Sequence, residues 1–175
     1  MFIQYPTQAL DSAAMHRFRS GRRQNQQAFH RARHMPSTAL ACPCGSALTH
    51  AQCCGRYHAG PLHLQAPDAT ALMRSRYSAF VFGLTDYLLA TWHASTRPTS
   101  FEADAPDLKW LGLEVRRHVQ QDADHATVEF VARSKLGGRA QRLHEHSRFV
   151  REAGRWYYVD GEMRRVGAES APRQR

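Results

Sequence analysis

With 175 residues, 42% of them hydrophobic, and eight Phe, six Tyr and three Trp, the chain can build one ordinary cored domain plus a small appendage. No apolar run approaches bilayer length, and no hydrophobic stretch follows the basic N-terminus, so membrane-spanning and secretory-signal readings are excluded and the cytoplasm is expected. The net charge of +9 is uneven: residues 1–34 carry Arg17, Arg19, Arg22, Arg23, Arg31 and Arg33 against Asp11 alone. The remainder is mildly basic, and a nucleic-acid or ribosome partner is only weakly supported.

Residues 1–39 read as an extension outside the fold. Their Gln/Arg-rich middle lacks sustained apolar periodicity, as a disordered arm does. The Arg-rich, acid-poor composition is also that of an organelle transit peptide, and Met35 offers an alternative start just before the folded pattern begins. These readings stay open side by side.

Residues 40–60 hold every cysteine of the chain, in Cys42-Pro43-Cys44-Gly45-Ser46 and Cys53-Cys54-Gly55. Thiolates this dense suit a soft or borderline dication, and four complete a tetrahedral shell. They suit disulfides poorly, because adjacent Cys53 and Cys54 would close a strained ring. A structural zinc held by Cys42, Cys44, Cys53 and Cys54 is therefore expected; iron could occupy the same sulfurs. Four protein ligands leave no open position for Lewis-acid catalysis. Ser46 is a candidate N-cap for a short helix over 47–52, with Gly55 ending it in a left-handed turn. His50 and His58 could each replace a sulfur, but four thiolates suffice and both read as surface histidines. The short connector through Pro61 and Pro67 predicts a docked knuckle, leaning on the larger domain through Leu48, Tyr57 and Leu62.

Residues 66–163 change from helical to alternating periodicity. Asp68 caps a predicted helix that runs to Phe82 and stops at Gly83; a second, capped by Thr85, runs to His93. Four antiparallel strands follow. The first puts Leu111, Leu113 and Val115 on one face and Trp110, Glu114 and Arg116 on the other. The second sets Ala126, Val128, Phe130 and Ala132 against Thr127, Glu129, Val131 and Arg133. Gly137-Gly138 turns into a third strand over 140–151, and Glu152-Ala153-Gly154 into a fourth over 155–160. The class is α+β. Residues 164–175 read as a basic flexible tail.

Several segments carry a resemblance: Cys42-Pro43-Cys44-Gly45-Ser46 with Cys53-Cys54-Gly55, Ala71 to Phe80 (ALMRSRYSAF), Trp110-Leu111-Gly112-Leu113, His144 to Phe149 (HEHSRF) and Gly154 to Gly161 (GRWYYVDG). Together they resemble the YchJ family of uncharacterised bacterial proteins over about residues 40–162. The cysteine segment is similar to the SEC-C motif, known also from the translocase ATPase that drives protein export. The resemblance implies a nuclear transport factor 2-like (NTF2-like) fold, with helices closing a curved antiparallel sheet into a cone with an internal pocket. Two departures bear on partners. Many relatives carry a second SEC-C motif at the C-terminus, which this chain lacks, and SEC-C helices that engage partners are usually lysine-rich, whereas here the segment reads Ala47-Leu48-Thr49-His50-Ala51-Gln52.

If the sheet closes into a cone, ligand candidates lie on its concave face: Arg76, Trp92, Trp110, Glu129, His144, Glu145, His146, Arg148, Tyr158 and Asp160, with His144 and His146 sharing one face of their strand and Glu145 on the other. The plainer alternatives are that His144, His146 and Arg148 line the solvent face and that the tryptophans fill the core. No catalytic residue is assigned. The expected function is a zinc-bearing binding or adaptor module recognising a protein or small ligand. The alternative is a small-molecule enzyme, isomerase- or hydrolase-like, using a His/carboxylate pair in the cone.

Overall fold

In the computed structural model, the structure describes residues 40–100 and 104–164. The expectations for residues 1–39 and 165–175 lie outside the described residues. In chain order the elements are α1 (Gly55–His58), α2 (Ala69–Phe82), α3 (Thr85–Ala90), β1 (Lys109–Gln120), β2 (His125–Leu136), β3 (Arg139–Glu152) and β4 (Arg155–Met163). The strands form one antiparallel meander in the order β1-β2-β3-β4, and α2 packs against β1, β2 and β4.

α2 forms as its end signals require. The Asp68 side chain accepts the Ala71 N–H at 2.7 Å, and Gly83 ends the helix in the left-handed region at φ 65°. The face bearing Leu72, Met73 and Tyr77 meets Val128, Phe130 and Ala132 of β2, Phe149 of β3, and Trp156 and Tyr158 of β4 in one buried cluster. Burying each large apolar side chain contributes roughly 1.5–3 kcal/mol, which holds α2 on the sheet. Behind α2 a smaller cluster joins Tyr57, Ala79, Tyr87 and Leu88. The chain after α3 then lies along the outer edge of β4, with the His93 N–H donating to Tyr158 O at 2.8 Å and the Tyr158 N–H to Thr91 O at 3.0 Å.

Five details differ from expectation. No helix covers 47–52: Ala47 takes φ 61°, and Cys42 N–H to Leu48 O (2.8 Å) and His50 N–H to Leu40 O (2.7 Å) close a small hairpin instead. Gly55 begins α1 rather than ending a helix. Thr85 is the first residue of α3, with Leu84 at the cap position and no side-chain cap bond; α3 ends at Ala90. In β1 the register shifts between Trp110 and Gly112, which reverses the alternation. Trp110 therefore packs inward with Leu113 and Val115, while Leu111 is 57% exposed. β4 continues past Asp160 to Met163 after a second shift opposite Arg148 and Phe149.

Candidate metal centre

The cysteine hairpin brings the sulfurs of Cys42, Cys44, Cys53 and Cys54 together, all within 4.8 Å of one another, and the cysteines are unbridged. Cys44 and Cys53 Sγ are 3.6 Å apart and Cys53 and Cys54 Sγ 3.8 Å. A tetrahedral Zn–S shell with bonds of about 2.3 Å requires S–S separations of about 3.8 Å. Donor set and spacing both fit a tetrahedral thiolate-bound dication. Among the described residues, no other group of three or more His, Cys, Asp or Glu side chains converges in this way.

The surroundings tune the thiols. Ser46 Oγ donates to Cys53 Sγ at 3.1 Å, so the expected N-cap instead supports a ligand. The Cys44 thiol is pulled down to about 4, chiefly because Cys54 donates to it. The same contact, with burial, pushes Cys54 up, and burial raises Cys53. Without a cation the hairpin thus favours a thiolate at Cys44 and protons on Cys53 and Cys54, and loading a dication displaces those protons.

α2 is the platform for this centre. Arg74 Nη1 donates to Cys44 O at 2.8 Å, Cys42 Sγ lies 3.6 Å from Ser78 Oγ, and Cys42, Cys44 and Cys54 belong to the main buried cluster. His50 and His58 are structural neighbours of the sulfurs, and their bonds run elsewhere. His58 Nε2 lies 2.9 Å from Ser75 O, a carbonyl that can only accept, so Nε2 bears the hydrogen. His58 Nδ1 then accepts from His50 Nε2 at 3.1 Å. Burial lowers both imidazoles, which favours this neutral relay. The two histidines tie the hairpin to α2, a role that sequence spacing alone did not reveal. Tyr57 is buried as expected at the dock, but Leu48 and Leu62 are 49% and 42% exposed. The hairpin leans through its cysteines and histidines.

The other candidate residues divide between the two faces of the sheet. On the inner face, the buried Arg76 donates from Nη1 to Leu88 O and Thr91 Oγ1, each at 2.7 Å. Its guanidinium sits 5.2 Å from the Trp92 ring and 4.7 Å from the Tyr158 ring, and burial lowers it to about 10. The Tyr158 hydroxyl, raised by burial, donates to Glu145 Oε1 at 3.1 Å, where Ser147 Oγ also donates at 2.7 Å. Glu145 lies on the inner face, opposite to the one that His144 and His146 share, as the alternation along the strand predicts. Trp110 packs edge-on against Tyr77 at 5.6 Å and donates its indole hydrogen to Asp104 Oδ2 at 2.9 Å.

His144, His146 and Arg148 alternate with the buried Glu145, Ser147 and Phe149 and so face away from the helices. There His144 Nε2 meets Glu129 Oε1 at 2.7 Å, a contact that lowers Glu129. Arg148 forms a two-point pair with Asp160, and His146 stands between Glu129 and Glu162 in the register. The His–carboxylate pair that an enzyme would need in the cone is formed outside it. A cleft of about 350 Å³, lined by Gln65, Ala66, Pro67, Arg151, Ala153, Gly154 and Arg155, lies at the β3–β4 turn, away from all these candidates.

Known proteins share this arrangement. The model of the YchJ middle NTF2-like domain matches residues 68–161, and that of the SEC-C motif matches residues 41–56. A UPF0225 protein of Bordetella parapertussis is 63% identical over 129 residues, 74% of this chain and 97% of that one. Another, of Methylibium petroleiphilum, is 61% identical over 132 residues, covering 75% of this chain and 93% of that one. Among solved structures, a SEC-C motif containing protein from Rhodopseudomonas palustris matches with 35% identity and a TM-score of 0.63, over 72% of this chain and 100% of that one. A sec-c motif containing protein from Psychrobacter arcticus matches with 30% identity and a TM-score of 0.59, over 72% of this chain and 84% of that one.

Proposed function

We propose that this chain, which belongs to the YchJ family, is a zinc-dependent binding module whose metal shapes a recognition hairpin on a rigid NTF2-like base. The carrying observation is the two-sidedness of the hairpin. Cys42, Cys44 and Cys54 are buried against α2, while Leu48 on the same small loop is left 49% exposed. A hairpin this short has no core of its own, so the cation sets the conformation in which that surface is displayed. The closed thiolate shell makes the metal structural. The inner face supports the same reading: Arg76, Trp92, Tyr158 and Glu145 are bonded or stacked on one another. The partner is a protein that takes an exposed leucine and the hairpin backbone around it.

Affinity capture from lysate tests this with three baits: the metal-loaded protein, Cys53→Ser/Cys54→Ser, and Leu48→Ser. A partner retained by the first and lost from both others is the expected result. A partner set identical for all three would overturn the proposal.

A further inference from the structure

The outer face of the sheet sets like charges directly opposite one another. Lys109 of β1 pairs with Lys135 of β2, and Arg133 of β2 with Arg142 of β3, all of them exposed. They share this face because Arg133 and Lys135 alternate with the buried Ala132 and Ser134, and Arg142 precedes the inward Leu143. Cross-strand neighbours of like sign are destabilising, so two consecutive such rows oppose folding. The nearby acids offset them only in part. Glu114 bonds Arg133 at 3.2 Å and Arg116 at 3.4 Å, and Asp107 accepts the Gly137 N–H at 3.0 Å. Among the described residues, Lys109, Lys135 and Arg142 enter no ion pair.

We propose that this corner of the sheet, built on Lys109, Arg133, Lys135 and Arg142, is a docking surface for the phosphodiester backbone of a double-stranded nucleic acid. The rows are about 6.8 Å apart along the strands and the strands about 4.8 Å apart, so the cations form a regular grid. A polyanion with closely spaced charges relieves the repulsion within such a grid and releases its own counterions in doing so. Guanidinium forks match phosphate oxygens. An acidic protein would instead want an apolar centre, whereas the middle of this patch is cationic. Unpaired strands need exposed aromatic platforms, and among the described residues the aromatic beside the patch, Trp110, is turned inward onto Tyr77 and Phe80. This surface is separate from the cysteine hairpin and adds a second partner to the reading above.

Fluorescence anisotropy of a 20-base-pair DNA duplex (length about 20, chosen to exceed the patch) with the full metal-loaded chain tests it across a salt series. Arg142→Glu and Lys135→Glu are each expected to weaken binding about tenfold at low salt and to flatten the salt slope by at least about one. Because each replaces a like-charge row with an opposite-charge one, the thermal midpoint stays the same or rises. Arg155→Glu, at the opposite hairpin, is the control and leaves affinity within about twofold. The arginines of residues 1–34 are common to every variant, so the comparison isolates the corner. Arg142→Gln, which only removes charge, gives a smaller loss in the same direction. No duplex binding by the parent, equal loss in Arg155→Glu, or equally tight binding of polyglutamate or single-stranded DNA would each overturn the proposal.

Discussion

A methyl group at position 161 would occupy the space that the Glu145 side chain fills on β4. Glu145 can lie there, accepting from Ser147 and Tyr158, because Gly161 has no Cβ. Gly161→Ala is therefore expected to cost about 1–3 kcal/mol in urea unfolding. Adding Glu145→Ala should recover part of that loss; no recovery would show that the cost does not come from the carboxylate. Asp160 offers a test on the outer face. Its carboxyl is held below the ordinary value of 3.8, first by the Arg148 hydrogen bonds. A depressed acid contributes stability above its unfolded value, and that contribution is lost as pH falls through the folded one. The pair is solvent-exposed, so Asp160→Asn should lower stability at pH 7 by less than about 1 kcal/mol and leave it unchanged near pH 2. An equal loss at both pH values would contradict the assignment.

The elements show what a pattern of residues can and cannot convey. Asp68 and Gly83 bracket α2 as written because each end signal acts through its own backbone neighbours. The helix expected over 47–52 gives way to a hairpin because the convergence of four sulfurs overrides local propensity, with Ala47 in a left-handed conformation. β1 was misread because a bulge adds one residue to an alternation and reverses every face beyond it. Docking of the hairpin was foreseeable from a short connector; its means, through His58 to Ser75 O and Arg74 to Cys44 O, were not. Since three of the cysteines share the main buried cluster, chelating the metal should lower the melting temperature of the whole chain by about 5 °C or more while the far-ultraviolet strand signal persists at 25 °C. An unchanged transition would show that hairpin and base fold independently.

At the scale of the whole molecule, the convergence of four cysteines able to hold a metal was legible because its chemistry is carried by residue type and spacing, which survive any error in helix bounds. The candidate residues around the sheet were not, since alternation assigns two faces without saying which one the helices cover. Net charge misled for a related reason. Averaged along the chain from Met35 onward it is mild, yet strand register gathers Lys109, Arg133, Lys135 and Arg142 onto one corner. The metal centre remains the claim on which the rest depends, because the proposed binding role rests on a cation held by the four cysteines. Elemental analysis of the natively purified chain at neutral pH measures it directly. The expected result is about one zinc per chain, lost on acidification as the thiols reprotonate, and absent from Cys53→Ser/Cys54→Ser. Metal retained at the same stoichiometry in that double variant, or a native protein with none, would contradict the four-thiolate centre.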